Sequence, residues 1–204
     1  MKLQARPVRN LNRKQKALMI DAFLRDTLGQ TPQGLRILDV GCGNGEIYAH
    51  FSKRNFSVGV DIQDQRRVEN KHLPFCLSES EYLPFDSLSF DIVISHHVIE
   101  HVNNQNRHLS EIRRILSPDG ICYIGTPNKS SPFMRGHLDN PKVLYYNQMR
   151  QLFESHGFVV NDCYIKYLHE PFRYHCEVNF GRFIPLFFLR SLQRWFPSQC
   201  FILR

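Results

Sequence analysis

Apolar positions along this chain fall into short continuous runs, separated by stretches with helical spacing. From Asn12 to Leu28 the residues Leu18, Met19, Ala22 and Phe23 recur at helical intervals, and Gly29 stands where a helix would stop. Ile37, Leu38 and Val40 then form a brief apolar run of the length expected for a buried strand. Gly41, Gly43 and Gly45 follow at alternate positions, after which Ile47, Tyr48, Ala49 and Phe51 return to helical spacing. The pattern predicts a strand, a glycine turn and a helix. Residues 56–62 read as a second strand containing Asp61 near its end, residues 63–74 as a polar stretch with a short helix and a loop, and residues 75–78 as a third strand. Phe90, Ile92, Val93 and Ile94 mark a fourth strand over residues 89–95. An amphipathic helix is predicted over residues 107–116, with Leu109, Ile112, Ile115 and Leu116 on one side. Residues 117–120, Ser-Pro-Asp-Gly, read as a turn and residues 121–125 as a fifth strand.

Chemistry enters at the glycine turn. Without a Cβ the backbone can bend sharply and a ligand can approach it closely, while the first N–H groups of the following helix point outward. A dinucleotide site wants Gly-x-Gly-x-x-Gly. Here the third glycine follows the second after two positions, and Glu46 occupies the place where the longer pattern needs glycine. A pyrophosphate would be repelled by that carboxylate. The segment from Asp39 to Gly45 instead resembles motif I of the class I S-adenosylmethionine methyltransferases, Asp-x-Gly-x-Gly-x-Gly. Their cofactor carries a sulfonium cation and no phosphate, so nearby carboxylates are tolerable.

Further segments carry the same resemblance in the same order. Residues 78–85 contain Glu79 and Ser80 shortly before Leu83-Pro84-Phe85. Phe90-Asp91 precedes three β-branched residues, Glu100-His101-Val102 follows that strand, and Thr126-Pro127-Asn128 closes the next. Residues 136–138, 146–153 and Gly157-Phe158 are similar to the family's next helix and its ending. Within that class the motifs resemble those of the type 11 methyltransferases and the ubiquinone-biosynthesis O-methyltransferases. The resemblance implies an α/β, Rossmann-like fold: a seven-stranded, mostly parallel sheet with helices on both faces, the sixth strand at 159–168 and a short seventh at 200–203. It implies one domain over residues 1–204, divided into a basic arm and capping helix (1–33), a cofactor-binding core (34–168), and a C-terminal amphipathic helix with the last strand (169–204). Cofactor contacts are implied for Asp39, Gly41, Cys42, Gly43 and Gly45 at the turn, for Asp61 and Ile62 after the second strand, for Glu79 and Ser80, and for Ser95 and His96 at the end of the fourth. Asp61 would accept the ribose hydroxyls and Glu79 would sit near the adenine amino group, with Glu81 as its substitute in a shifted register.

Composition narrows the setting. A chain of 204 residues that is 42% hydrophobic suits a single domain with a sizeable core, and no stretch approaches the length of a membrane-spanning helix. The basic N-terminus lacks an apolar h-region, so no signal peptide is expected. Cysteines 42, 76, 122, 163, 176 and 200 are scattered without a Cys-x-x-Cys pair, which suggests reduced thiols and a cytoplasmic location and disfavours a zinc site. The net charge of +7 suggests an anionic partner, and Lys2, Arg6, Arg9, Arg13, Lys14 and Lys16 all precede the first acid, Asp21. Residues 185–196 are apolar, with Arg190, Gln193 and Arg194 to one side. They read as a core helix, or as a peripheral contact with a membrane surface or a lipidic substrate.

A hydroxyl acceptor must lose a proton, which makes His97, His101 and His137 the candidate bases, with His101 first. His97-x-x-Glu100-His101 matches an inverted zinc-protease pattern, but it follows a strand of an already assigned sheet and is read as the family's Glu-His-Val turn. Some quinone-biosynthetic and RNA-end relatives bind a divalent metal with a Glu-x-x-Glu-His turn. Here His97 replaces the first Glu, so a metal held by Glu100, His101 and His137 is the weaker expectation. The family subset favours a small-molecule, lipid-linked or glycan hydroxyl as acceptor and disfavours nucleic acid. The alternatives are an RNA or protein methyltransferase using the basic arm, and a non-catalytic methyltransferase-like binding subunit. An NAD-dependent oxidoreductase is disfavoured by Glu46.

Overall fold

The computed structural model describes residues 12–129, 140–162 and 198–204. The basic arm before Asn12, His137, most of the expected sixth strand and the 185–196 segment lie outside them. The described strands are β1 (Arg36–Val40), β2 (Phe56–Asp61), β3 (Phe75–Leu77), β4 (Phe90–His96), β5 (Leu116–Pro127), β6 (Val160–Asp162) and β7 (Ser198–Leu203). They form one sheet in the order β3-β2-β1-β4-β5-β7-β6. β1 pairs in parallel with β2 and β4, and β7 runs antiparallel to both β5 and β6. This is the doubly wound, mostly parallel sheet expected. The chain leaves β1 toward β2 and β3 and returns to build on its other side with β4. A crevice therefore opens at the carboxyl ends of β1 and β4, where connections depart in opposite directions.

Alternation along each strand sends neighbours to opposite faces. Leu38, Val93, Cys122 and Phe201 pack toward helices α3 (Gln105–Ile115) and α4 (Tyr146–Ser155), whose Leu109, Ile112, Met149 and Phe153 complete one core. Ile37, Ile92, Tyr123 and Ile202 pack toward α1 (Arg13–Leu28) and α2 (Glu46–Phe51) in a second core. Covering on both faces explains why the central strands read as continuous apolar runs rather than as alternating ones.

Local signals set the helix ends. Asn12 and Gln15 form a reciprocal capping box at the start of α1, and Gly29, at φ 71°, ends it. The buried stripe of α1 is Ala17, Ile20, Phe23 and Leu24, whereas Leu18 from the expected set is 53% exposed. The i, i+3, i+7 spacing from Ala17 meets the sheet, and Leu18 is rotated off it. Asp21 lies on the same buried stripe. Burial pushes its carboxyl up, but hydrogen bonds from His50 and Arg54 outweigh that and hold it below the ordinary value. Arg25 adds a third partner at 3.2 Å, so this carboxylate ties α1 to α2.

Two elements differ from the sequence reading. Residues 117–120 are not a turn preceding a strand but an excursion within β5: Phe90 pairs with Leu116 and Ile92 with Ile121. The extra residues leave the ladder where Pro118 has no N–H to donate. In the polar stretch after β2 only a three-residue 3-10 turn forms, Val68–Asn70.

Candidate functional site

The crevice has a volume of about 390 Å³ and a wall that includes Gly41, Gly43, Asp61, Glu79, Ser80 and His97. Its floor is the glycine turn. Gly41 and Gly43 have φ of 70° and 51°, in the left-handed region. A Cβ on Gly41 would drive into Val98, and one on Gly43 would lie 2.6 Å from the Arg13 guanidinium. The turn is held from below and from the side. Gly41 and Cys42 donate their N–H groups to Val60 O at 2.8 and 3.0 Å, and Gly43 N–H donates to Asp61 Oδ2 at 2.8 Å. At the start of α2 the Glu46 N–H is not open to a ligand, since the Asn44 side chain accepts from it at 3.2 Å.

Asp39 and Cys42 lie behind the turn rather than in the crevice. Both are buried, and burial pushes the Asp39 carboxyl up to about 7, opposed by the nearby Arg13 charge. Burial likewise raises the Cys42 thiol. Ser95 is fully buried, with its hydroxyl 3.3 Å from His108 Nε2. Gly45 caps α2 at φ 80°. The wall residues Ser78, Glu79, Ser80 and Glu81 stand opposite the turn, beside Ile62 and Gln65. Glu79 is exposed, while Glu81 is buried and accepts the N–H groups of Asn103 and Asn104 at 3.2 and 2.7 Å. Glu81 therefore ties the wall to the loop that starts α3.

A smaller recess of about 80 Å³ opens from the same end of β1 and β4, lined by Arg13, Lys16, Gly41, Ile47, His96 and His97. Arg13 reaches over the turn and donates from Nη1 to Cys42 O at 3.2 Å. Lys16, one turn further along α1, is half-buried, and burial together with the Arg13 charge lowers its ammonium. Burial, followed by the neighbouring His97, Lys16 and Arg13, holds the His96 ring well below the ordinary histidine value, so it is neutral near pH 7. Tyr123 Oη donates to Cys200 Sγ at 3.2 Å and lies 3.3 Å from His96 Nδ1. The buried Nε2 of His96 has no hydrogen-bond partner among the described residues.

His97 begins the segment after β4 with φ of 59°, unusual for a residue bearing a Cβ, and its N–H donates to Gly125 O at 2.8 Å. Its Nδ1 lies 2.9 Å from Glu100 Oε1. Glu100 is 1% exposed, and its Oε2 has no hydrogen-bond partner among the described residues. His101 is 63% exposed, with Nε2 3.9 Å from the same carboxylate. The three-ligand metal set of Glu100, His101 and His137 cannot be judged, because His137 lies outside the described residues; among those described no group of three His, Cys, Asp or Glu could hold a metal ion.

The structure thus brings Gly41, Gly43, Asp61, Ile62, Glu79, Ser80, His97 and His101 into the crevice wall and His96 into the recess. Sequence reasoning missed Arg13 and Lys16 as site residues, counting them among the basic residues that suggest an anionic partner. Their three-residue spacing just after the Asn12 cap was the available signal for one shared helix face.

Comparison with known proteins follows the same lines. A family model described as a methyltransferase domain matches residues 11–199. The chain is 29% identical over 140 residues to a probable S-adenosylmethionine-dependent methyltransferase of Mycolicibacterium smegmatis, covering 63% of this chain and 54% of that one. It is 31% identical over 127 residues to a ubiquinone biosynthesis O-methyltransferase of Maricaulis maris, covering 53% and 50%. The chain spans about half the length of these curated relatives. The crystal structure of a TehB-like SAM-dependent methyltransferase from Corynebacterium glutamicum shares the fold, with a TM-score of 0.55 and 22% identity over 72% of this chain and 74% of that one.

Proposed function

This chain belongs to the methyltransferase-domain family, and we propose that it uses S-adenosylmethionine to methylate a hydroxyl of a small-molecule, lipid-linked or glycan acceptor. The observation that carries the reading is the left-handed turn at Gly41 and Gly43, bonded to Asp61 at the switch point of the sheet. The residues present fit the cofactor. The recess sets two cations, Arg13 and Lys16, side by side, which suits the carboxylate of an amino-acid moiety. Asp61 retains Oδ1, held among the described residues by a 3.4 Å contact from Gln63 N–H, to accept from ribose. Exposed Glu79 on the wall can accept from an adenine amino group. When bound, the cofactor supplies a methyl group on a sulfonium for in-line displacement. The chain's own work is to hold the two ends of the cofactor, keep the acceptor close and in line, and take its proton. Choice of an oxygen acceptor is supported by the similarity to ubiquinone biosynthesis O-methyltransferases.

Calorimetric titration with S-adenosylhomocysteine, beside NADH as control, tests the cofactor. Micromolar binding of the first and none of the second is expected. Asp61→Ala should weaken it about 10- to 100-fold, the equivalent of one hydrogen bond to a charged group. Binding that is absent in the native chain, or unchanged in the variant, would refute the assignment.

A further inference from the structure

The crevice wall and the loop after β4 are separate stretches of chain, and Glu81 bridges them. The wall is a closed turn: Ser78 Oγ donates to Tyr82 O at 2.7 Å, and Tyr82 N–H donates to Glu79 O at 3.1 Å. Its near end joins the strand that carries Asp61, since Ser78 N–H donates to Asp61 O at 3.0 Å. Its far end reaches the loop. Both carboxylate oxygens of Glu81 are used there, Oε1 accepting from Asn104 N–H at 2.7 Å and Oε2 from Asn103 N–H at 3.2 Å. We propose that Glu81 is a positioning residue, through which a cofactor seated against Glu79 and Ser80 fixes the loop that carries Val98, His101 and Val102 into the crevice. This rests on the cofactor reading above.

The chemistry of the bridge is strong for its size. A carboxylate that accepts backbone N–H groups makes charge-assisted hydrogen bonds, and Glu81 is buried, so little water competes for them. The two donors lie at the start of α3, where Asn104 caps the helix by accepting from Arg107 N–H at 3.0 Å, and negative charge is favoured at that end. The helix also reaches back. Arg107 Nε donates to Glu81 O at 3.2 Å, and its guanidinium lies 4.9 Å from the centre of the Tyr82 ring. The loop has two further moorings. Val98 rests on the glycine turn, so closely that a Cβ on Gly41 would drive into it. On the other side Gln105 Nε2 donates to Ile99 O at 3.0 Å and to Lys142 O at 2.8 Å, and Asn140 Nδ2 donates to Glu100 O at 3.1 Å. Of these moorings, Glu81 is the one that leads to Glu79 and Ser80. A ligand shifts an equilibrium only by contacting one state better than another. A cofactor that holds Glu79 and Ser80 in place therefore favours the loop position in which Glu81 meets both N–H groups.

Amide hydrogen exchange in the full 15N-labelled chain, free and saturated with S-adenosylhomocysteine, tests the bridge, with saturation checked by calorimetry. The reporter is the His101 N–H, which donates to Val98 O at 2.8 Å, so replacing Glu81 leaves the measured bond in place. In the native chain the ligand should slow His101 exchange about fivefold or more, a coupling of ordinary size. In Glu81→Ala that gain should fall below about twofold. A Glu81 that only stabilised the fold would speed exchange by the same factor in free and bound chains and leave their ratio at the native value. Glu81→Gln keeps one acceptor oxygen and nearly the same shape, so it answers the question if the alanine variant fails to fold; its ratio should lie between the other two. A native ratio near one, or a native-like ratio in either variant, would overturn the proposal. So would a folded Glu81→Ala chain that no longer takes up S-adenosylhomocysteine, because Glu81 would then be a cofactor contact and not a bridge. Failure of the native chain to bind S-adenosylhomocysteine would instead remove the cofactor reading, and this inference with it.

Discussion

Asp39→Asn probes the electrostatics under the glycine turn. Asp39 is fully buried, accepts one hydrogen bond from the backbone of Tyr48, and has an Oδ2 with no partner among the described residues. Burial raises its carboxyl from 3.8 to about 7 in the folded chain. Between those values the folded chain keeps a proton that the unfolded chain releases, so stability falls as pH rises through this window and levels off above 7. A rise of about three pH units, at about 1.4 kcal/mol each, puts the full penalty near 4 kcal/mol as a ceiling. By pH 5 about a third of it is already present, leaving about 2–3 kcal/mol to accrue between pH 5 and pH 8. An asparagine cannot ionise. It carries a constant cost of its own, because its NH₂ meets the place where Oδ2 found no partner. That cost is the same at both pH values and cancels in the comparison. Urea unfolding of the native chain and Asp39→Asn at pH 5 and pH 8 should therefore show the variant gaining about 2–3 kcal/mol relative to native across the range, a relative midpoint shift of about 1 M. A change within about 0.5 kcal/mol would mean the carboxyl is not held protonated, and the charge reading beneath the turn would fall.

Other substitutions test single links. Gly43→Ala puts a Cβ at φ 51° beside the Arg13 guanidinium; it should cost about 1–2 kcal/mol in thermal unfolding and weaken S-adenosylhomocysteine at least tenfold by calorimetry. Arg13→Met should weaken the same ligand about tenfold while leaving the unfolding midpoint nearly unchanged, because Arg13 is exposed and its one described bond is to Cys42 O. Asp21→Asn should cost about 1–2 kcal/mol near neutral pH, since His50, Arg54 and Arg25 lose their shared carboxylate but keep access to water. The Asp21 carboxyl lies below its ordinary value in the folded chain, so its stabilisation is present above that value and fades as pH falls through the lower one. The variant and native curves should therefore converge in acid.

Much of this architecture is local and hence legible. Ile37, Leu38 and Val40, the glycines behind them and the Asn12–Gln15 cap act through neighbours a few residues away, so spacing alone specifies strand, turn and helix. The motif resemblance adds sheet order, because the order of signatures along the chain implies which strand neighbours which. Periodicity was weaker where one residue decides the face. Leu18 and Ile20 both suit a helix, and only the sheet beneath α1 selects Ile20.

The sequence alone therefore determined the α/β class, the glycine turn and the set of polar residues that could serve it. The tertiary structure decided which of them share an environment. It laid Arg13 over Cys42 and bonded Gly43 to Asp61, and it tied Glu81, a crevice-wall residue, to the loop before α3. It also sealed Asp39 behind the turn and aimed His97, rather than His101, at a buried carboxylate. The reason is physical. Propensity and periodicity depend on bonds close along the chain. Desolvation and charge pairing depend on distances across it, and those exist only once the sheet has brought the carboxyl ends of β1, β2 and β4 together.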